Sequence, residues 1–178
     1  MITQKIIQNK ALFLVFITTL IGLHIAWDYF NEGVPTHYVL HSKDMPGFSN
    51  WWGLLTIPIS SFILLSIIQK QYKKDPTPQK LSNITNGFIS GLCFGILLSV
   101  LWVLDLHEIM PYVIWLPVLV SFFIPIHYPQ YLLGFILGMA YTFGGVLSIG
   151  IGTILIIGSF LIWTIFRKGV PYIFKKVF

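Results

Sequence analysis

His24 and Asp28 stand four residues apart, so on a helix their imidazole and carboxyl share one face about a turn apart. Farther along, His37, His41 and Asp44 recur at spacings of four and three. They too would line one face if the stretch bounded by Pro35 and by Pro46-Gly47 forms a short interfacial helix. Asp105 and Glu108 flank His107 and supply two more carboxyls. Imidazole nitrogens and carboxylate oxygens are the usual ligands of zinc and iron. We therefore read His24, Asp28, His37 and His41 as candidate ligands of a divalent metal, zinc foremost. Asp44, Asp105 and Glu108 are the catalytic candidates, either orienting the imidazoles or acting as general base on a metal-bound water whose pKa falls toward about 7. At headgroup depth such a site suits a hydrolase acting on a lipid or amphipathic substrate. In the competing reading, His24 and Asp28 form a hydrogen-bonded pair that fastens the first span, and the other residues are ordinary solvated groups. The sequence has no HExxH helix and no GxSxG turn to favour catalysis.

The elements that must hold these residues are set by composition. Of 178 residues, 56% are hydrophobic, 16% aromatic and only 10% charged, with a mean hydropathy of +0.81. A soluble domain carries about 25% charged residues, so the main solvent of this chain is the lipid bilayer. We expect an all-α, polytopic integral membrane bundle, a single domain over 1–178, with six transmembrane helices near 11–30, 51–69, 83–106, 109–125, 130–147 and 149–166. Ser49 and Asn50 are candidate N-caps for the second span, which opens with Trp51 and Trp52 at headgroup depth. Lys70, Lys73, Lys74 and Lys80 with Pro76 and Pro78 mark a solvated loop. Turns are expected at Ile126–Gln130 and near Gly144–Gly152. No small-x-small cleavage site follows the first run, which ends in His24, Trp27, Asp28 and Tyr29, so it reads as a retained span.

Charge sets the orientation. With the N-terminus inside, Lys5, Lys10, Lys70, Lys73, Lys74, Lys80, Arg167, Lys168, Lys175 and Lys176 are all cytoplasmic, and Lys43 alone lies outside. An even number of spans keeps both termini in the cytoplasm, and six is the even number that uses the long apolar run. The same topology sends His24, His37, His41 and His107 to the outer end with Asp28, Glu32, Asp44, Asp105 and Glu108. The formal charge of +5 thus serves to orient the chain in a cell membrane and forms no nucleic-acid stripe. With Cys93 as its single cysteine, the chain cannot build a disulfide framework or a thiolate cluster.

Gly87, Gly91 and Gly95 in the third run, and Gly134 and Gly138 in the fifth, recur at four-residue spacing. Such ridges let helix backbones approach closely, and packing within the chain is sufficient to account for them. In size, span number and inside termini the chain resembles substrate-binding components of small bacterial transporters. That resemblance implies solute binding in the same outer cavity, beside a partner membrane subunit. A structural subunit of a membrane complex is the third expectation. The outer His and Asp set resembles that of membrane-embedded metal hydrolases of the ceramidase type, but those have seven spans and another order of Ser, Asp and His.

Overall fold

The computed structural model describes residues 6–7, 9–31, 33–38, 44–106 and 108–169; Glu32, His41 and His107 fall outside them. The chain is mostly helical and, among the described residues, four helices are long and apolar enough to cross a membrane. Helix α1 spans Lys10–Asn31. Strands β1 (Thr36–Tyr38) and β2 (Gly47–Ser49) pair antiparallel, setting His37 opposite Phe48. A 3-10 turn at Asn50–Trp52 leads into α2, Gly53–Lys74, and α3 follows at Pro78–Val103. Two short helices come next, α4 (Met110–Val113) and α5 (Leu116–Val120), before α6 (Pro129–Thr164) and a π turn at Ile165–Gly169.

Local chemistry explains most of the boundaries. Gly33, at φ 87°, ends α1 by returning its N–H to Asp28 O at 2.8 Å. Ser49 caps the 3-10 turn as expected, its hydroxyl accepting from Trp51 N. The lysine-rich stretch is more helical than its composition suggests, and only Asp75–Thr77 separates α2 from α3. Thr77 accepts from Lys80 N at 3.2 Å, and Pro78 sits in the first turn, where its missing N–H costs nothing. Asp105 adopts φ 56° as α3 ends, and Leu106 N reaches back to Leu101 O at 3.0 Å. That left-handed position is one of the few that Asp tolerates.

The short interfacial helix expected from Pro35 is corrected by the β1–β2 pairing. Thr36 and Tyr38 are β-branched and aromatic, and their backbone groups gain ladder partners that an isolated ten-residue helix would struggle to nucleate. His37 and Asp44 therefore do not share a helical face. The stretch expected as a fourth helix, 109–125, is broken into α4 and α5, with Pro111 and Pro117 each starting a short helix.

Between residues 129 and 164 the chain reverses. A straight helix of that length would run about 54 Å, well beyond a hydrocarbon core of about 30 Å. Gly144 interrupts it at φ 70°, ψ 175°, a conformation open essentially to glycine alone. Beyond it the second arm folds back on the first, so that a Cβ built on Gly152 would lie 2.6 Å from the Leu132 side chain.

Two clusters form the core. Leu64, Leu65, Ile68, Ile84, Leu133 and Ile136 meet toward one end, and Leu98, Phe135, Met139, Phe143 and Leu155 toward the other. Between them runs the glycine seam. A Cβ on Gly95 would stand 2.6 Å from Phe135 O and 3.0 Å from Gly138 Cα, and one on Gly134 would strike Phe88 O. Backbones of α3 and α6 are thus in direct contact, the intrachain packing expected of these glycines.

Candidate functional site

Helix α1 turns Ile17 and Ile25 into the bundle, and the same face carries His24 and Asp28, whose side chains are only 21% and 16% exposed. His24 Nε2 lies 3.7 Å from Asp28 Oδ2, too long for a hydrogen bond. The His24 ring stacks on Tyr141 with centroids 4.4 Å apart, and its Nε2 is 3.3 Å from Tyr141 O. Strand β1 brings His37 in from the loop, and the end of β2 delivers Asn50, 4% exposed, against the elbow of α6. A Cβ at Gly144 would collide with Asn50 Oδ1 and come within 3.5 Å of His37 Cδ2. The glycine at the elbow therefore serves both the backbone reversal and the seat of the two polar side chains.

Burial lowers the pKa of His37 below the ordinary histidine value of 6.5. The negative charge of Asp28 and the Asn50 side chain oppose that shift, and His24 adds to it. His37 accordingly favours its neutral form near pH 7. Three polar atoms here, Asp28 Oδ2, His37 Nε2 and Asn50 Oδ1, are buried with no hydrogen-bond partner among the described residues. Such atoms are few in a native protein and ordinarily meet water or a ligand.

Next to these groups lies an apolar cleft of about 220 Å³, walled by Ile17, Ile21, Ile25, Ile57 and Leu137, with His24, Asn50 and Gly144 also lining it and Asp28 and His37 outside its lining. The volume is under the roughly 300 Å³ at which small-molecule pockets begin. It suits one end of a longer molecule whose remainder stays in lipid.

Of the residues singled out in the sequence, the fold gathers His24, Asp28 and His37. His41 lies outside the described residues. Asp44 is exposed after the loop, Asp105 and Glu108 are exposed where α3 ends, and none of the three lines the cleft. Among the described residues, no group of three or more His, Cys, Asp or Glu is close enough to hold a metal ion. Trp51 and Trp52 are exposed and also stay out of the cleft. Sequence reasoning missed Asn50, Tyr141 and Gly144 as site residues. The Gly144-Gly145 pair inside an apolar run did signal a break, but Tyr141 carries no signal in the sequence. Compared with protein-family models, characterised proteins and solved structures, the chain finds no match.

Proposed function

We propose that this chain is a multi-pass protein of the cell membrane with six crossings and cytoplasmic termini, and that its outer-end site binds the headgroup of an amphipathic molecule. The count of six treats the segment from α4 through α5 as one crossing and the two arms of α6 as two. In support, Met110 and Val113 pack on the cluster around Leu98 and Phe143, whereas Phe122, farther along the segment, meets Phe166 at 4.6 Å. Orientation rests on the concentration of Lys and Arg at one end.

The observation that carries the ligand reading is a set of three buried polar atoms without a hydrogen-bond partner among the described residues, Asp28 Oδ2, His37 Nε2 and Asn50 Oδ1, of which Asn50 also lines the apolar cleft beside His24. Asp28 and Asn50 offer oxygens, and the neutral His37 ring offers a nitrogen. A partner that satisfies them brings donors and positive charge, as a primary ammonium headgroup does. Its chain would then enter the cleft between α1 and α6. A diazirine-bearing long-chain amine tests this directly: label should concentrate on peptides containing Ile21 and Leu137, and labelling spread evenly over lipid-facing residues such as Leu12 and Val15 would refute it.

A second reading has an observation of its own. The 3.7 Å between His24 Nε2 and Asp28 Oδ2 fits two ligands that each stand about 2.0–2.2 Å from one zinc ion. With His37 and His41 added, the site would be a metal centre and the protein a metal-dependent hydrolase, with Asp44, Asp105 or Glu108 drawn in as base by movement of the loops. Elemental analysis separates the two readings: near-stoichiometric zinc or iron, lost in His24→Ala and in His41→Ala, selects the enzyme.

A further inference from the structure

The opposite end of the molecule holds a second polar-over-apolar arrangement, independent of the outer site. His127 is ringed by aromatic side chains, with Tyr128 at 4.8 Å, Phe160 at 5.4 Å and Trp163 at 6.3 Å between centroids. A cation stands at each end of this arc. Lys80 Nζ lies over Tyr128 at 5.8 Å, and the Arg167 guanidinium lies over Trp163 at 5.1 Å while donating to Phe123 O at 3.5 Å. Lys10, Lys70, Lys73 and Lys74 lie at the same end, with Asp75 the one acidic residue among them. The rim is strongly positive.

From this rim an apolar cleft of about 310 Å³ runs inward between α3, α5 and both arms of α6, with Ile126, Tyr131 and Ile156 near the rim and Phe94, Leu116 and Gly152 deeper. Three hydroxyl-bearing residues line it, Ser90, Tyr131 and Ser159, and of these Ser159 is 1% exposed with its Oγ lacking a hydrogen-bond partner among the described residues. Arg167, Trp163, Ser159 and Leu155 follow at four-residue spacing, so one line of side chains passes from cation to aromatic to hydroxyl to aliphatic. A diacyl phospholipid presents its parts in the same order, as phosphate, interfacial glycerol, ester carbonyl and acyl chain. Basic pockets between membrane helices on the cytoplasmic side are suited to anionic headgroups.

We propose that one anionic glycerophospholipid binds here, with its phosphate between Arg167 and Lys80 beside His127. The Ser159 hydroxyl donates to an ester carbonyl, and one acyl chain fills the cleft. The experiment is native mass spectrometry of the full chain released from nanodiscs that contain phosphatidylglycerol and phosphatidylcholine with identical acyl chains. Two cations near a membrane surface imply retention of phosphatidylglycerol about 25-fold over phosphatidylcholine, a preference that shrinks as salt is raised. In the double variant Lys80→Ala, Arg167→Ala the two lipids should be retained about equally. Ser159→Phe, which fills the cleft and spares the rim, should also abolish retention, with thermal melting of each variant as the control for folding. Equal retention of the two lipids by the wild type, or a preference that survives the double variant, overturns the proposal. Undiminished phosphatidylglycerol retention by a folded Ser159→Phe overturns it as well, because the cleft would then play no part.

Discussion

Substitution of Gly95 by alanine tests the seam that holds the bundle together. The added Cβ would sit 2.6 Å from Phe135 O and 3.0 Å from Gly138 Cα. Ordinary contact begins at 3.4 Å, so α3 and α6 must part by about 0.8 Å at that point. Neither obstacle is a flexible side chain that could swing aside. A gap of that size forfeits roughly a third of the dispersion energy of each atom pair, and about forty pairs at about 0.15 kcal/mol each give a loss of about 2 kcal/mol. That agrees with the roughly 1–3 kcal/mol typical of overpacked cores. The control is Gly150→Ala, where an added Cβ meets nothing within 4 Å and should leave stability unchanged or raise it by up to about 1 kcal/mol through helix propensity. Unfolding by sodium dodecyl sulfate titration from mixed micelles, followed by circular dichroism, measures both. If Gly95→Ala unfolds together with Gly150→Ala, the backbone seam is not the principal contact between these helices.

Gly144→Ala places a side chain at φ 70° and drives it against Asn50 Oδ1; we expect a loss of at least about 2 kcal/mol, partly recovered by adding Asn50→Ala, in the same titration. Because burial lowers the pKa of His37, its neutral ring contributes stability that is fully present above about pH 6.5 and is lost as pH falls from there through the lowered value. Melting temperatures from pH 7.5 to 4.5 should therefore fall less steeply for His37→Gln than for the wild type, and parallel curves would show that the ring is not held in a neutral form. In a Cys93→Ala background, single cysteines at Met45 and Glu108 should react with an impermeant maleimide added outside cells, and those at Gln79 and Tyr128 only after the membrane is opened. Labelling of Glu108 and Tyr128 from the same side would contradict six crossings.

How much of this could be read from the sequence follows the physics of each feature. Apolar runs and glycines at four-residue spacing are local patterns, so the helical class and the close intrachain packing of these glycines were legible, whereas the pairing of Gly91 and Gly95 with Gly134 and Gly138 is a tertiary fact that the structure supplies. The i, i+4 relation placed His24 and Asp28 together for the same reason. The loop was less legible. Pro35 and Pro46-Gly47 bound a helix or a strand pair equally well, and the choice depended on ladder bonds to residues 47–49 that no local pattern reveals. Asn50 looked like a cap because its neighbour Ser49 is one, whereas its burial depends on Gly144, ninety-four residues away. Asp105 and Glu108 were assigned to the site by membrane depth alone, and depth does not say which side of a bundle a residue occupies.

The ligand reading of the outer end meets its most direct test in equilibrium binding of dodecylammonium, compared with dodecanol, to the full chain in nanodiscs. A charge-assisted hydrogen bond to the Asp28 carboxyl is worth roughly 1.5–3 kcal/mol, so the amine should bind about tenfold or more tightly than the alcohol. Asp28→Asn, shown by circular dichroism to be folded, should bring the two together. Equal binding of amine and alcohol to the wild type, or an amine preference that persists in Asp28→Asn, would contradict the account.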